Sequence, residues 1–201
     1  MPSLAITGTI GGGKSVALRL LSGLLGERAK IFSADEENSR LLDGDHDVKC
    51  LITSRLGEDC YGGDGKADKK RLFNIISSNP NARKILEEIV HPRLQKIWQP
   101  MAELHRRTPD SFFIAEIPLL YEKGLHVFFD RTIVVGCTDS IRSARIRSDR
   151  SLTKREIADW MKMQSPQFEK IAKCDFVLWN DGSTNTLKLQ IQSLASCLIK
   201  Q

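Results

Sequence analysis

The sequence predicts an α/β fold in which a parallel β-sheet is covered by helices on both faces. Short apolar segments alternate along the chain with longer segments whose apolar residues recur three and four positions apart. Such alternation favours a parallel sheet, because the helices cross over between its strands. A glycine-rich stretch directly after the first apolar segment adds a turn between a strand and a helix. With 41% hydrophobic and 27% charged residues, the composition is that of a globular domain.

The first predicted elements are a strand, a helix and a second strand. "SLAITG" at 3–8 is short and apolar, as in a strand buried on both faces. "KSVALRLLSGLL" at 14–25 has apolar residues at helical spacing, and "KIFSAD" at 30–35 predicts the second strand. Residues 38–63 show a mixed pattern and end in the turn-rich "GEDCYGGDG".

A helical block interrupts the alternation in the middle of the chain. Residues 68–77 and 81–105 have helical periodicity, and the second segment carries one apolar stripe. Pro92 and Pro100 are expected to bend or break this helix, because proline lacks the backbone N–H of a helical residue. We expect the block to be an insertion beside the sheet.

The C-terminal part resumes the alternation. Its predicted elements are strands at 111–120 and 131–137, polar basic helices at 140–149 and 153–164, a strand at 176–180 and a helix at 184–200. The two apolar strands are typical of strands buried on both faces.

Charge and cysteine content favour a cytoplasmic enzyme with small-molecule partners. The net charge is +5 and the longest basic run is "KKR" at 69–71, which favours an ordinary basic surface over a nucleic-acid-binding one. No apolar stretch approaches the roughly 20 residues of a membrane span, and the N-terminus has no basic leader. The five scattered cysteines are expected to be reduced thiols. The oligomeric state stays open.

"GTIGGGKS" at 8–15 matches the phosphate-binding loop (P-loop) pattern G-x-x-x-x-G-K-S and lies between a predicted strand and helix. It predicts a P-loop nucleoside-triphosphate-hydrolase core that binds a nucleoside triphosphate and Mg²⁺, with the choice between ATP and GTP left open. Lys14 is expected to reach the β- and γ-phosphates, and Ser15 to ligate Mg²⁺. The structural alternative is a glycine-rich turn without a ligand. Backbone N–H groups are expected to face the phosphates at the four glycines, Gly8, Gly11, Gly12 and Gly13.

Three further features bear on the chemistry. Asp35 follows the second strand, where a carboxylate could accept a proton from an attacking hydroxyl, but a helix-capping role is equally compatible with its position. Glu116 ends the third strand, where P-loop proteins often carry an acid near the metal; on sequence alone a surface carboxylate is favoured. Arg142 and Arg145 share a helix face that could cover the nucleotide as a lid, against the alternative of a solvated basic face.

Over nearly its whole length the chain resembles the dephospho-CoA kinase family. The P-loop is shared with many families, but other signatures follow in the family's order. They are "SAD" at 33–35, "HPRL" at 91–94, "PLLYE" at 118–122, Gln164 and "CDFVLWNDGS" at 174–183. The resemblance implies ATP-dependent phosphorylation of the ribose 3′-hydroxyl of dephospho-CoA, giving CoA and ADP with Mg²⁺.

The resemblance also implies the site residues. Asp35 would be the catalytic base, with Lys14 and Arg145 as further catalytic groups. Ser15 would be the metal ligand. The ATP-binding residues would be those of the P-loop and the start of its helix, one lid arginine and one asparagine after the last strand: Gly8, Gly11, Gly12, Gly13, Lys14, Ser15, Val16, Arg145 and Asn180. The substrate-binding residues would be Asp35, His91, Arg93, Leu119 and Glu122. The core would comprise about 1–37, 108–138 and 172–201, the acceptor region about 38–107 and the lid about 139–171.

The chain departs from the family pattern at several positions. Ser33 replaces the first Asp of D-A-D, Lys69 replaces an Arg, and Val16 stands where Thr is common. In the lid, Arg142 replaces a Gln and Asp149 replaces an Arg, whose role Arg147 or Arg150 would have to take. These changes leave two alternatives open: a nucleotide-binding module with weak or no transfer activity, and a P-loop kinase for another small acceptor.

Overall fold

The computed structural model describes residues 3–108, 110–150, 157–158, 161 and 164–199, without the side chains of residues 149 and 150. The described residues form a parallel five-stranded sheet with helices against it, which confirms the predicted α/β fold. The strands are β1 (Ser3–Thr7), β2 (Ala29–Ser33), β3 (Phe112–Glu116), β4 (Arg131–Gly136) and β5 (Phe176–Trp179). Their order across the sheet is β2-β3-β1-β4-β5.

The helices of the described residues connect these strands or form the inserted block. The α-helices are α1 (Lys14–Leu25), α2 (Ala34–Gly44), α3 (His46–Leu56), α4 (Lys69–Ser78), α5 (Pro80–Arg106), α6 (Asp139–Arg150), α7 (Gln167–Ile171) and α8 (Thr184–Ile199). Short 3₁₀ turns occur at Gly26–Arg28, Glu58–Cys60 and Leu125–Phe128. Among the described helices, none combines the length and the hydropathy that a membrane span requires.

The central strands are apolar because both of their faces are covered. Every residue of β1 and β3 is buried, and so is every residue of β4 after Arg131. Residues of α1 and α8 complete the core on the sheet, among them Leu18, Leu21, Leu187 and Ile191. The predicted burial of these strands on both faces is therefore confirmed.

The helix α5 is not broken by its two prolines, so of the two predicted effects only a bend stays a prediction. It runs unbroken from Pro80 to Arg106 with Pro92 and Pro100 inside it. Both prolines lie on the exposed face, where water can bind the carbonyl groups left without a helical donor. The opposite face is buried at Ile89, Val90, Leu94, Trp98 and Ala102, and this burial offsets the lost hydrogen bonds.

The mixed pattern of residues 38–63 conceals two helices, α2 and α3. The carboxylate of Asp45 accepts a hydrogen bond from the backbone N–H of Val48 and so caps the start of α3. Gly57 ends α3 with φ 109°, a conformation that favours glycine. Local capping therefore defines these helices where apolar periodicity is weak.

The chain divides into two compact units. One comprises Met1–Ser33 with Met101–Gln201 and contains the sheet; the other is the helical unit Ala34–Pro100. The finer division into core, acceptor region and lid stays a prediction.

At the start of β1, Ser3 donates two hydrogen bonds to the carboxylate of Asp130, and this carboxylate makes the stability of the fold depend on pH. The backbone N–H and the hydroxyl of Ser3 donate to Asp130 Oδ2 at 2.8 and 2.7 Å, and Arg106 Nε lies 3.2 Å from Asp130 Oδ1. Burial raises the pKa of Asp130, but the bonds from Ser3 and the charge of Arg106 outweigh it, so the pKa lies below its ordinary value.

We expect Asp130→Asn to lower the free energy of unfolding at neutral pH. A depressed carboxyl pKa contributes stability above the unfolded-state pKa, and that stability is lost as the pH falls through the folded-state pKa. The difference in the free energy of unfolding between Asp130→Asn and the parent chain should therefore become smaller as the pH falls from neutral to strongly acidic. Urea unfolding at several pH values measures it, and a pH-independent difference would contradict the assignment.

Candidate active site

The P-loop follows β1 at the carboxyl edge of the sheet, where parallel α/β sheets bind ligands. Gly12 N donates to Thr9 O at 3.1 Å, and Gly13 precedes α1 with φ 93°. A side chain at Gly13 would collide with the amide nitrogen of Asn180. That nitrogen donates to Gly12 O at 2.9 Å, so the buried Asn180 supports the loop from β5. Glycine is therefore required at Gly13 both by its backbone conformation and by the space available.

The two polar residues that begin α1 have defined contacts. Lys14 is buried, and its Nζ lies 3.4 Å from Thr9 O. Ser15 Oγ donates to Glu116 Oε1 at 3.2 Å. Val16 is half-buried and packs against the hydrophobic core.

Glu116 is buried, with 1% of its surface exposed, so the interpretation as a surface carboxylate is wrong. The sheet order explains the difference. Glu116 pairs with Ile6 of β1 on one side and with Ser33 of β2 on the other, which places it inside the sheet beside the P-loop strand. Strand order is a tertiary property, so sequence alone could not distinguish this position from an exposed strand end.

The side chains of Ser15 and Glu116 have the ligand chemistry that Mg²⁺ prefers. A hydroxyl and a carboxylate are hard oxygen ligands, and Mg²⁺ in nucleotide sites takes only one or two protein ligands beside phosphate and water. Within the described residues no group of three or more His, Cys, Asp or Glu side chains could hold a metal. The Ser15 hydroxyl and the Glu116 carboxylate are of the kind that supplies the few protein ligands of a nucleotide-bound Mg²⁺.

Two arginines of α6 lie against the P-loop. Arg145 Nη2 donates to Asn180 O at 2.8 Å, whereas its Nη1 is buried without a hydrogen-bond partner among the described residues. Arg142 is buried and its Nη2 lies 2.9 Å from Asp139 Oδ1. Arg142 Nε also has no partner within the described residues. A buried N–H donor without an acceptor is costly, so each is suited to an anionic ligand.

The question of which arginine replaces the usual lid residue stays open. Arg147 is exposed, and its Nε lies 3.4 Å from Ser143 O of its own helix. The side chains of Asp149 and Arg150 lie outside the described residues, as does most of the helix predicted at 153–164.

Two glutamine side chains hold the P-loop and the end of β4. Gln164 Oε1 accepts a hydrogen bond from Ile10 N at 2.8 Å. Gln167 pairs with both backbone groups of Cys137: its Oε1 accepts from Cys137 N and its Nε2 donates to Cys137 O, each at 3.1 Å. Sequence reasoning noted Gln164 but missed Gln167. A second amide three residues after Gln164 was the available signal.

The segment after β3 is bound to α7 by a buried ion pair. Glu122 Oε1 lies 2.8 Å from Lys170 Nζ and also accepts from Ser165 N at 2.9 Å. Glu122 Oε2 is buried and has no hydrogen-bond partner in the part of the chain that the structure describes. Leu119 is half-buried in the same segment. Sequence reasoning did not single out Lys170.

The remaining predicted residues belong to the helical unit. Asp35 is exposed in the first turn of α2, two residues after β2 ends. His91 and Arg93 are half-buried in α5, and Arg93 Nη1 donates to Ile89 O at 2.7 Å.

The sequence model of the family described as dephospho-CoA kinase matches residues 3–186. The chain belongs to the dephospho-CoA kinase family. Its members are phosphotransferases that catalyse the last step of coenzyme A biosynthesis.

Individual relatives agree with this membership. The chain is 31% identical over 191 residues to the dephospho-CoA kinase of Methylococcus capsulatus, covering 95% of this chain and 93% of that one. The solved structure of the Campylobacter jejuni dephospho-CoA kinase has a TM-score of 0.68 at 26% identity, over 98% of this chain and 97% of that one. A crystal structure from Thermus thermophilus has a TM-score of 0.74 at 29% identity, with the same coverage.

Proposed function

We propose that this chain transfers the γ-phosphoryl group of ATP to the ribose 3′-hydroxyl of dephospho-CoA, giving CoA and ADP. The observation that carries the proposal is the family match over residues 3–186, which includes the P-loop, Glu116 and Arg145. The proposal includes small-molecule partners only, and a location in the cytoplasm.

The P-loop and α6 would hold the phosphates. Backbone N–H groups of Gly11–Gly13 and the N-terminus of α1 attract phosphate oxygens. Lys14 supplies a charge for the β- and γ-phosphates. The unpartnered Nη1 of Arg145 supports a role in stabilising the charge that develops on the transferred group. Asn180, which supports the loop, would also lie near the adenine.

Ser15 and Glu116 would hold Mg²⁺, Ser15 directly and Glu116 through its contact with the Ser15 hydroxyl. When bound, the ion neutralises phosphate charge. The buried carboxylate orients the hydroxyl, and the burial of Glu116 keeps competing water away from it.

Asp35 would accept the proton of the acceptor hydroxyl. It is an exposed carboxylate that directly follows a strand ending at the ligand-binding edge of the sheet. The exposed carboxylate oxygens of Asp35 are accessible to accept that proton as the hydroxyl oxygen attacks phosphorus. His91, Arg93, Leu119 and Glu122 are proposed to bind dephospho-CoA.

A coupled assay of ADP release tests the function. ADP formation should require dephospho-CoA, and AMP or shikimate at the same concentration should not replace it. ADP formation that does not depend on dephospho-CoA would favour a nucleotide-binding module, and a stronger response to another acceptor would favour a different kinase.

Glu116→Gln tests the metal assignment. The amide keeps the size of the side chain and removes its charge, so the apparent affinity for Mg²⁺ should fall about tenfold. Titration of activity with MgCl₂ at fixed ATP measures the change, and high Mg²⁺ should restore much of kcat. Glu103→Gln, on the exposed surface of α5, is the matched control. An unchanged Mg²⁺ requirement in Glu116→Gln would contradict the assignment.

A further inference from the structure

Lys170 is a fully buried lysine that the proposed reaction does not use. Its side chain has 0% of its surface exposed. The ammonium lies 2.8 Å from Glu122 Oε1 and donates to Pro118 O at 3.1 Å. Taking an ammonium out of water is costly, and replacing a buried ion pair by apolar residues is often neutral or stabilising. Stability alone is therefore a weak reason for a lysine at this position.

The partners of Lys170 connect it to the end of the central strand β1. Pro118 O also accepts from Thr7 Oγ1 at 3.2 Å, and Thr7 is the last residue of β1. Glu122 Oε1 also accepts from Ser165 N at 2.9 Å. The segment 118–122 therefore fixes both α7, through Lys170, and the backbone just before it, through Ser165.

The segment fixed in this way carries both glutamines that hold the P-loop. Gln164 precedes Ser165 and binds Ile10 N, while Gln167 lies one helical turn before Lys170 and binds both backbone groups of Cys137. Gln167 Oε1 also lies 3.4 Å from Thr9 Oγ1. Neutral amide hydrogen bonds are weak individually, so they hold a loop only if their own backbone is fixed.

We propose that Lys170 is a positioning residue, which through Glu122 keeps Gln164 and Gln167 on the P-loop and so keeps the loop's N–H groups arranged for a nucleotide. The effect on turnover rests on the proposed function; the effects on the loop and on ATP affinity do not. Loss of the Lys170 ammonium leaves the Glu122 carboxylate buried without its cation. The unpaired charge then moves residues 164–170, and Ile10 N loses its hydrogen bond to Gln164.

The experiment compares Lys170→Met, Glu122→Gln and the double variant with Lys173→Met, which removes an exposed lysine from the chain just after α7. Amide hydrogen exchange followed by NMR reports the loop directly at Ile10 and Cys137, with Ala5 in the core of β1 as the internal reference. Calorimetric titration gives ATP affinity, and steady-state kinetics separate kcat from KM. Glu122→Gln retains an acceptor for Ser165 N, and provides a second test should Lys170→Met not fold.

We expect exchange at Ile10 and Cys137 to rise about tenfold in Lys170→Met, with Ala5 unchanged. The Kd for ATP should rise about tenfold, and kcat should fall by up to roughly a hundredfold because the phosphates are misplaced. Glu122→Gln should shift the same amides, and the double variant should be less affected than the sum of the singles because the two residues act as a pair. Lys173→Met should match the parent chain.

Unchanged exchange at Ile10 and Cys137 with unchanged ATP affinity would overturn the inference. So would a rise at Ala5 equal to that at Ile10, because Lys170 would then act on global stability only. If the parent chain makes no ADP from dephospho-CoA, the proposed function fails, while the exchange and affinity measurements still decide the role of Lys170.

Discussion

Replacing Asp35 by asparagine is expected to lower kcat about a thousandfold, within the range that a general base contributes. The amide cannot accept the proton of the attacking hydroxyl. ATP affinity should stay within about twofold, because the substitution leaves the P-loop, Lys14 and the α6 arginines, which are proposed to hold the phosphates, unchanged. The variant should also fold normally, since Asp35 is exposed in the first turn of α2.

Steady-state kinetics with dephospho-CoA and calorimetric titration with ATP measure these two effects. Glu36→Gln is the matched control, because it removes a carboxylate from the neighbouring exposed position in the same helical turn. Near-normal turnover in Asp35→Asn would contradict the base assignment. Equal losses in Asp35→Asn and Glu36→Gln would indicate damage to the start of α2 rather than loss of a base.

Replacing Lys14 by methionine is expected to lower kcat/KM about a thousandfold. A loss of this size is typical when an enzyme loses one donor that stabilises the charge of a transition state. The side chain is buried at the start of α1, and its Nζ now lies near Thr9 O within the loop. Its charge therefore already lies within the loop that we propose to bind the phosphates. Methionine keeps a similar length and volume without the charge, so the change isolates electrostatics from packing.

Kinetics at saturating and limiting ATP measure this loss, and thermal unfolding checks that the fold is retained. Lys188→Met removes an exposed charge from α8 and should leave both kcat and KM unchanged. A Lys14→Met variant with kcat/KM within about threefold of the parent chain would contradict the proposed phosphate contact, because even one removed donor typically costs far more.

The P-loop region could be predicted from the sequence because each of its signals is local. Helix α1 begins and ends at the residues that its periodicity indicates, Lys14 and Leu25. The burial of β3 and β4 could likewise be predicted from their apolar sequences, since strands covered on both faces need apolar residues throughout.

Features that depend on neighbours in space could not be predicted. The missing backbone N–H groups of Pro92 and Pro100 suggested a bend or a break in α5. Their exposed position and the burial of the opposite face keep the helix unbroken. Glu116 lies buried beside the P-loop strand only because of the order of the strands, which places β3 between β1 and β2. Neither fact is encoded in a local sequence pattern.

The same limit applies to the polar side chains around the P-loop. The resemblance implied that Asn180 contacts ATP, but its amide also donates to Gly12 O, a contact that joins residues 168 positions apart. Gln167 and Lys170 lie in a short helix of five residues with little periodicity. Apart from the spacing between Gln167 and Gln164, nothing in that stretch marks them as partners of Cys137 and Glu122.

Analysis of the product formed from ATP, Mg²⁺ and dephospho-CoA tests the central claim most directly. Mass spectrometry and phosphorus NMR of the purified product should identify one added phosphoryl group, as a monoester on the ribose 3′-oxygen, in equal amount to the ADP released. ADP released while dephospho-CoA stays unmodified, or phosphorylation at another hydroxyl, would contradict the proposed transfer.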